Sequence, residues 1–311
     1  KTILTYIFTT ALSVSVGLLL VNLFNPGKSL PSETREKLME LYDETAGSKY
    51  QEAEQLQSQS PLKPLVDMVP ENIFQAAAAN EMMLQVVFFA IIMGITGDNP
   101  DSAVELLLAL LKYSLVVIGG LLLMVLFFYP MILKTFTKVK YMDFFKALRP
   151  AQLLAFTTSS SSATLPVTMK QVEQEIGVSE EISSFVLPLG ATINMDGTSL
   201  YQGVAAVFIA QAMGFDLSLS QQLMIVMTAT LASIGTAGVP GAGIIMLIIV
   251  LESIGVPSAG IALILAPDRI LDMFRTIVNV TGDAMVCTVV ASTEGELPEG
   301  LIRKSNPMTN T

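Results

Sequence analysis

The stretch from Asp268 to Asp283 constrains this chain most, because it carries charged and polar side chains inside an otherwise apolar run. On a helix that turns by about 100° per residue, five of those side chains fall within roughly 40° of one line, with Arg275 at the edge. The five are Asp268, Asp272, Thr276, Asn279 and Asp283. Charges in an apolar span are costly unless they are paired or face a cavity. The stripe therefore predicts a site for a charged ligand. A buried ion-pair seam between helices is the alternative, but a seam does not need Thr and Asn at the same spacing.

The composition is that of a membrane protein. Of the 311 residues, 52% are hydrophobic, and the mean hydropathy is +0.61. The sequence contains no histidine, which excludes Ser-His-Asp catalysis, histidine-based zinc sites and histidine proton relays. Its single cysteine, Cys287, excludes a disulfide framework. The sequence has no basic cluster of the kind that binds nucleic acid, so we expect no nucleic-acid partner.

The first half of the chain contains two stretches that are long enough to cross a bilayer. Residues 3–24 form one and end at the breaker cluster Asn25-Pro26-Gly27, and residues 103–133 form the other. Between them, residues 28–63 are polar and predict an external loop, whereas residues 64–95 are apolar but broken by polar groups. A basic loop follows the second span, and the positive-inside rule places that loop in the cytoplasm.

Two later segments are apolar half-helices that small residues break in the middle. The first break, residues 157–164, reads TTSSSSAT, and the second, residues 233–243, reads SIGTAGVPGAG. Each break precedes a long helix with polar interruptions, over residues 183–211 and 261–291. Corresponding interruptions in two halves of a membrane protein point to the binding site of a transporter. The helix that begins after each break would aim free N–H groups and the positive end of its dipole at an anion.

Four motifs follow one another in the second half of the chain: SSSATLP at 160–166, NMDGT at 194–198, the break at 233–243, and DMFRTIVNVTGD at 272–283. In this order they resemble the glutamate transporter family, the dicarboxylate/amino acid:cation symporters, in its archaeal and bacterial aspartate-glutamate type. The resemblance implies an all-α multi-pass membrane protein of the elevator type, with broken transmembrane helices and two re-entrant helical hairpins in an inverted repeat. It also implies a homotrimer in the cell (inner or plasma) membrane, and a transporter rather than an enzyme.

The resemblance further implies a division of the chain into a mobile and a static part. Residues 1–27 and 97–311 would form the transport domain, with hairpin 1 at about 143–176, hairpin 2 at about 218–256 and the last helix at about 261–292. Residues 64–95 would belong to the scaffold and trimerisation domain, and residues 28–63 would form an external loop.

A count of membrane sides conflicts with the loop between residues 64–95 and the next span. The six residues from Thr96 to Asp101 are too short to cross about 30 Å of hydrocarbon at ~3.6 Å per residue. The resemblance implies two helices before Ile3 and one more between Ile95 and Gly97, so we expect that segments are missing before Lys1 and near Thr96.

The implied substrate is an acidic amino acid, L-aspartate or L-glutamate. By resemblance, Arg275 pairs with its side-chain carboxylate and Asp272 holds its ammonium group. The remaining pocket residues implied by the family are Ser160, Ser161, Ser162, Thr198, Val239, Pro240, Gly241, Ala242, Gly243, Thr276 and Asn279.

Na⁺ is the implied co-transported ion. The resemblance places one ion at Tyr6, Thr9, Thr10, Asn194 and Asp196. A second would lie at Gly190, Asn194, Asn279 and Asp283, and a third, held mostly by carbonyls, at Thr192, Met195, Ser233, Ile234 and Thr236. Na⁺ is a hard cation that binds oxygen, and an opened helix at residues 194–197 can supply both side-chain and backbone oxygen.

The chain departs from the family in one respect. Family members usually carry an additional Arg at one of two places, which are Ser159 and Met273 here. Arg269 lies one helical turn before Met273, and the sequence leaves open whether it substitutes. The strength and selectivity of acidic side-chain binding depend on the answer.

Other functions remain open from the sequence. The nearest is a proton- or Na⁺-coupled carrier of C4-dicarboxylates or neutral amino acids, although Asp272 argues for an ammonium group and Arg275 for a second carboxylate. An ion channel is an alternative from another class, because polar breaks also build filters. A buried acid and base at one place favour occlusion over permeation. An intramembrane enzyme is the weakest alternative, since no general base accompanies the serines.

Overall fold

A computed structural model describes residues 1–29, 100–236 and 238–297, and all regular structure in these ranges is helical. The all-α class expected from the sequence is confirmed. The predicted external loop beyond residue 29, the scaffold segment 64–95 and the expected gap near Thr96 lie outside the described residues. Three helices in the described ranges are long and apolar enough to cross a membrane: Thr2–Lys28, Val104–Phe136 and Leu265–Glu294.

Helix α1, Thr2–Phe24, ends where the sequence predicts, at a residue in the left-handed conformation. Asn25 has φ 44° and its N–H donates to the carbonyl of Val21, after which Pro26–Ser29 form a 3₁₀ turn. A β-carbon at Gly27 would lie 2.5 Å from the carbonyl oxygen of Phe208, so only glycine lets this turn lie against the core.

The second span is interrupted by a π-helical turn. Helix α2, Pro100–Leu123, continues through Met124–Phe128 in π geometry into α3, Tyr129–Phe136. Pro130 has no N–H to donate to the turn before it, and a proline ring inside a helix clashes with the carbonyl four residues earlier. The widened turn accommodates this, and the N–H of Tyr129 donates to the carbonyl of Met124, five residues back.

Two helical hairpins contain the predicted breaks. The first comprises α4, Tyr141–Ala147, then α5, Arg149–Thr158, and α6, Ser161–Gln171, with a π turn at Val172–Ile176. The second comprises α9, Leu219–Ile234, and α10, Ala242–Ser253. Each hairpin turns at its break, through Ser159 with φ 51° in the first and Gly241 with φ 77° in the second. Whether the hairpins are re-entrant in a membrane stays a prediction.

Between the hairpins, the predicted interrupted helix is two helices. Helix α7, Glu180–Ile193, and helix α8, Asp196–Ala212, are separated by Asn194 and Met195. Every residue of α8 is buried, as expected for a helix with apolar and small residues on all sides. Helix α8 packs against α1, α2, α9 and α10, and against the last helix, α11, Leu265–Glu294, which a 3₁₀ turn at Ser258–Ile264 precedes. The predicted last helix, 261–292, is thus shifted by a few residues.

The tips of the two hairpins touch. The hydroxyl of Ser160 donates to the carbonyl of Gly238 at 2.7 Å, and the N–H of Ser162 donates to the same oxygen at 3.2 Å. The hydroxyl of Ser160 also accepts from the N–H of Ala163 at 3.1 Å and so caps α6. A β-carbon at Gly238 would lie 2.5 Å from the Ser162 hydroxyl and 2.8 Å from the carbonyl of Ala191. The close approach of the tips therefore requires glycine at this position.

This geometry predicts unequal effects for two adjacent serines. Ser160→Ala removes both the helix cap and the contact between the tips, so it should lower the free energy of unfolding by about 1–2 kcal/mol. Ser159→Ala is the matched control, because the Ser159 hydroxyl is buried and has no hydrogen-bond partner among the described residues. Thermal unfolding of the purified protein measures both. Equal midpoints for the two variants would contradict the assigned contact.

Candidate ligand-binding site

A cavity with about 250 Å³ of empty space lies between the two hairpin tips, the α7–α8 break and α11. The residues that line it are Ser159, Ser161, Met195, Thr198, Thr236, Gly238, Val239, Gly243, Asp272, Thr276 and Asn279. Helices α6 and α10 both begin beside this cavity, so the positive ends of two helix dipoles face it.

Asp272 connects α11 to the tip of the second hairpin. One carboxylate oxygen accepts from Arg275 Nη2 at 2.8 Å, and the other accepts from the N–H of Gly241 at 3.1 Å. The hydroxyl of Thr276 donates to the backbone carbonyl of Asp272 at 2.8 Å. A ligand ammonium group that binds this carboxylate would offer N–H donors like those of Gly241 and Arg275.

The guanidinium of Arg275 is completely buried beside the cavity wall. Its Nη2 atom lies 2.8 Å from Asp272 and 3.2 Å from Asp268, and its central carbon lies 3.8 Å from the centre of the Tyr201 ring. The last contact is a cation–π geometry. Atoms Nε and Nη1 have no hydrogen-bond partner among the described residues. A β-carbon at Gly243 would lie 3.4 Å from Nη1, so an unpartnered donor adjoins a residue that lines the cavity.

Asn279 fixes the first turn of α8 onto α11. Its side-chain oxygen accepts from the N–H groups of Gly197 at 2.8 Å and Thr198 at 3.4 Å, and its amide donates to the Thr198 hydroxyl at 3.1 Å. A β-carbon at Gly197 would lie 2.5 Å from the carbonyl of Arg275. The break between α7 and α8 and the polar stripe of α11 thus form one rigid wall of the cavity.

Two buried carboxylates next to this wall are held by neutral groups. Asp196 accepts from the hydroxyl of Thr10 at 3.0 Å on one oxygen and from the hydroxyl of Tyr129 at 2.8 Å on the other. Asp283 accepts from the side-chain amide of Asn194 at 2.9 Å. Across the described ranges, neither carboxylate forms an ion pair with Lys or Arg. An unpaired buried carboxylate is costly, so this arrangement favours a bound cation.

Further oxygen atoms surround Asp283 and Asn194. The hydroxyl of Thr9 lies 3.2 Å from the side-chain oxygen of Asn194, and the hydroxyl of Tyr6 donates to the carbonyl of Val186 at 2.9 Å. A β-carbon on the residue at position 190 would lie 2.6 Å from the Tyr6 hydroxyl and 2.7 Å from Asp283, which explains the glycine there. Carboxylate, hydroxyl and amide oxygens of this kind match the ligands that hard cations prefer.

The predicted substrate residues fall into three groups around the cavity. Seven line the cavity: Ser161, Thr198, Val239, Gly243, Asp272, Thr276 and Asn279. Others belong to the hairpin tips outside that lining: Ser160, Ser162, Pro240, Gly241 and Ala242. Arg275 lies behind the wall, where it pairs with the two acidic side chains. The assignment of all these residues to a substrate stays a prediction.

The predicted cation residues fall into two groups. The first forms the buried network just described: Tyr6, Thr9, Thr10, Gly190, Asn194, Asp196 and Asp283. Asn279 lines the cavity, and of the third predicted set Met195 and Thr236 contribute to the lining. In that third set, the Thr192 side chain is exposed, the Ser233 hydroxyl donates to the carbonyl of Thr230, and Ile234 is partly buried. The hydroxyls of Ser233 and Thr236 both donate to backbone carbonyls of α9, so a cation at this set would depend on backbone carbonyls, as predicted.

Sequence reasoning did not identify two tyrosines beside the site, and it left the position of Arg269 open. Tyr129 binds Asp196, and Tyr201 lies under the guanidinium of Arg275. Tyr201 stands three residues after Thr198 and so shares its helix face, which is a signal that could have been used. Arg269 is exposed on α11 and does not line the cavity, so its possible role in substrate binding stays an open question of the sequence analysis.

The sequence of this chain matches a known protein family. A family model described as the sodium:dicarboxylate symporter family matches residues 1–98 and 100–293. The proton/sodium-glutamate symport protein of Bacillus caldotenax is 31% identical, over 96% of this chain and 79% of that protein.

Excitatory amino acid transporters match a shorter region. Excitatory amino acid transporter 5 of Homo sapiens is 48% identical over 58% of this chain, and an excitatory amino acid transporter of Caenorhabditis elegans is 45% identical over 65%. The chain spans only 32% and 40% of the lengths of these two proteins. The family and these relatives are membrane transporters, which confirms the predicted family, the membrane location and the absence of enzymatic function. The chain belongs to the sodium:dicarboxylate symporter family.

Proposed function

We propose that this protein is a secondary active symporter that couples Na⁺ entry to the uptake of an acidic amino acid, aspartate or glutamate, by an elevator mechanism. One observation carries the proposal: a cavity that is lined by Asp272 and backed by the buried guanidinium of Arg275 adjoins two buried carboxylates with no ion-pair partner in the described residues. The first pair matches a substrate with an ammonium and carboxylates, and the second pair matches a co-transported cation.

Asp272 and Arg275 are suited to opposite ends of an amino acid. The substrate ammonium would replace the N–H of Gly241 at Asp272, and the side-chain carboxylate would bind the unpartnered Nη1 donor of Arg275. Ser161 begins α6 at the cavity edge, where the helix N-terminus favours the α-carboxylate. Because Asp272 also holds the tip of the second hairpin, substrate binding and movement of that tip would be coupled.

Na⁺ would neutralise Asp196 and Asp283. Asn279 provides the connection to substrate, since it lines the cavity and also holds the backbone of Gly197 beside Asp196. Cation binding that orders the α7–α8 break would therefore order one wall of the substrate cavity. The proposal includes a transport domain of residues 1–27 and 97–311, a scaffold containing residues 64–95, and a homotrimer, all of which rest on the family resemblance.

One observation favours a second candidate, a carrier of neutral amino acids. Arg275 already pairs with both Asp268 and Asp272, and neither Ser159 nor Met273 adds a positive charge. With Arg269 exposed, the described cavity offers a single, partly neutralised guanidinium to a substrate side chain. A neutral side chain would avoid competition with Asp268. The two candidates differ in whether the protein prefers an acidic or a neutral amino acid. Competition between amino acids of the two kinds in an uptake assay distinguishes them.

Uptake of radiolabelled aspartate into proteoliposomes tests the proposed function. An inward Na⁺ gradient should drive accumulation, and equal Na⁺ on both sides should abolish it. Unlabelled glutamate should compete, and serine and succinate should compete poorly. Accumulation driven by a pH gradient without Na⁺ would refute Na⁺ coupling. Efficient competition by serine, with poor aspartate uptake, would favour the second candidate.

Arg275→Ala should change selectivity rather than binding in general. Loss of a charged hydrogen bond in a buried site costs about 1.5–3 kcal/mol, so aspartate binding should weaken by roughly tenfold or more, while serine binding is largely retained. Asp272→Asn should weaken both, because every amino acid has the ammonium group. Arg269→Ala, an exposed arginine on the same helix, is the control. Equal losses of aspartate and serine affinity in Arg275→Ala would refute the assignment.

A further inference from the structure

Tyr129 is a buried residue that belongs to none of the predicted sites, and its hydroxyl contacts the buried carboxylate of Asp196. The hydroxyl donates to one oxygen of Asp196 at 2.8 Å, while Thr10 donates to the other oxygen at 3.0 Å. Tyr129 and Asp196 are both fully buried. The two hydroxyls together fix the plane of the carboxylate, because each holds a different oxygen.

The local fold delivers this hydroxyl to Asp196. The π turn at Met124–Phe128 adds a residue to the helical turn just before Tyr129, and so rotates it relative to the preceding span. Pro130 directly afterwards makes a regular α-helical turn unfavourable at this point. Single π turns within α-helices are frequent at functional sites.

The last helix closes the other side of the contact. A β-carbon at Gly282 would lie 2.8 Å from the Tyr129 hydroxyl and 3.1 Å from the bound oxygen of Asp196. The hydroxyl is also 3.4 Å from the carbonyl of Val278. Tyr129 therefore fits between α8 and α11 with its oxygen directed at the carboxylate, and Gly282 leaves the space for it.

We propose that Tyr129 is a positioning residue for Na⁺ binding at Asp196, an inference that rests on the proposed Na⁺ coupling. It does not line the cavity, and it acts by holding one oxygen of Asp196 while Thr10 holds the other. Removal of such an outer partner of a metal-binding carboxylate costs roughly 10–100-fold in metal affinity in other proteins. The expected effect here is on Na⁺, with little effect on the substrate contacts at Asp272 and Arg275.

The test compares Tyr129→Phe with wild type in calorimetric titrations of purified protein with aspartate over a range of Na⁺ concentrations. Tyr129→Phe should raise the half-saturating Na⁺ concentration about tenfold. Aspartate affinity at saturating Na⁺ should stay within about twofold of wild type, because the variant leaves that site intact. Tyr113→Phe is the matched control, because it also removes the hydroxyl of a fully buried tyrosine on the same span, and that hydroxyl has no hydrogen-bond partner among the described residues.

An unchanged half-saturating Na⁺ concentration in Tyr129→Phe would overturn the inference. So would an equal shift in Tyr113→Phe, or a loss of aspartate affinity that saturating Na⁺ does not restore. If Tyr129→Phe does not fold, Gly282→Ala tests the same contact, since its methyl group would displace the hydroxyl, and it should shift Na⁺ dependence in the same direction. Wild-type aspartate binding that is independent of Na⁺ would instead refute the proposed function, on which the inference rests.

Discussion

The burial of acidic side chains within an apolar helical core is the constraint on which this structure depends. Asp196 and Asp283 are buried without an ion-pair partner in the described ranges, and the chain arranges hydroxyls, amides and close glycine contacts around them. A neutral hydrogen bond offsets only part of the cost of a buried charge. A bound cation would offset the rest of the cost of burying these two carboxylates and would thereby stabilise the protein. The two buried carboxylates, which are unfavourable in the isolated chain, are thus suited to coupling cation binding to substrate binding.

The same constraint explains the interruptions in the helices. A continuous helix satisfies its own backbone groups and has none left for a ligand. The break at Asn194 and Met195 and the turns at the two hairpin tips leave N–H and carbonyl groups at the cavity. They are supported from behind by α8, which is buried along its whole length. The irregular backbone is thus confined to the place where a ligand would use it.

The connections across the cavity suggest how two ligands could sense each other. Asp272 holds the tip of the second hairpin through Gly241, and Asn279 holds the start of α8 beside Asp196. Both residues are on α11, less than two helical turns apart. A change at either carboxylate region would therefore pass along one short segment of α11 rather than through a loop.

Much of this arrangement could be predicted from the sequence, because periodicity and breaker residues are local signals. The stripe on α11 is buried as predicted, and both breaks are hairpin turns. The role of Tyr129 was not predictable, because a tyrosine in an apolar span at helical spacing is usually a core residue, and the π turn changes its direction. The four consecutive serines indicate a break in the helix, but the sequence does not show which of them contacts the other hairpin. The left-handed turn at Ser159 places Ser160 at the contact between the tips.

The pairing of Arg275 with two carboxylates also lay beyond sequence reasoning. Its angular position at the edge of the stripe is compatible with several partners, and only tertiary packing places Tyr201 under it. Because the guanidinium of Arg275 is shared with Asp268 and Asp272, the motif alone does not specify the charge of the substrate side chain.

The most direct test of the account is reciprocal linkage between Na⁺ and substrate. Aspartate affinity, measured by calorimetry at several Na⁺ concentrations and two pH values, should rise steeply with Na⁺, and aspartate should raise Na⁺ affinity by the same factor, as linkage requires. Asp283→Asn should reduce this dependence while the fold is retained. An aspartate affinity that is flat in Na⁺ but steep in pH would contradict the account.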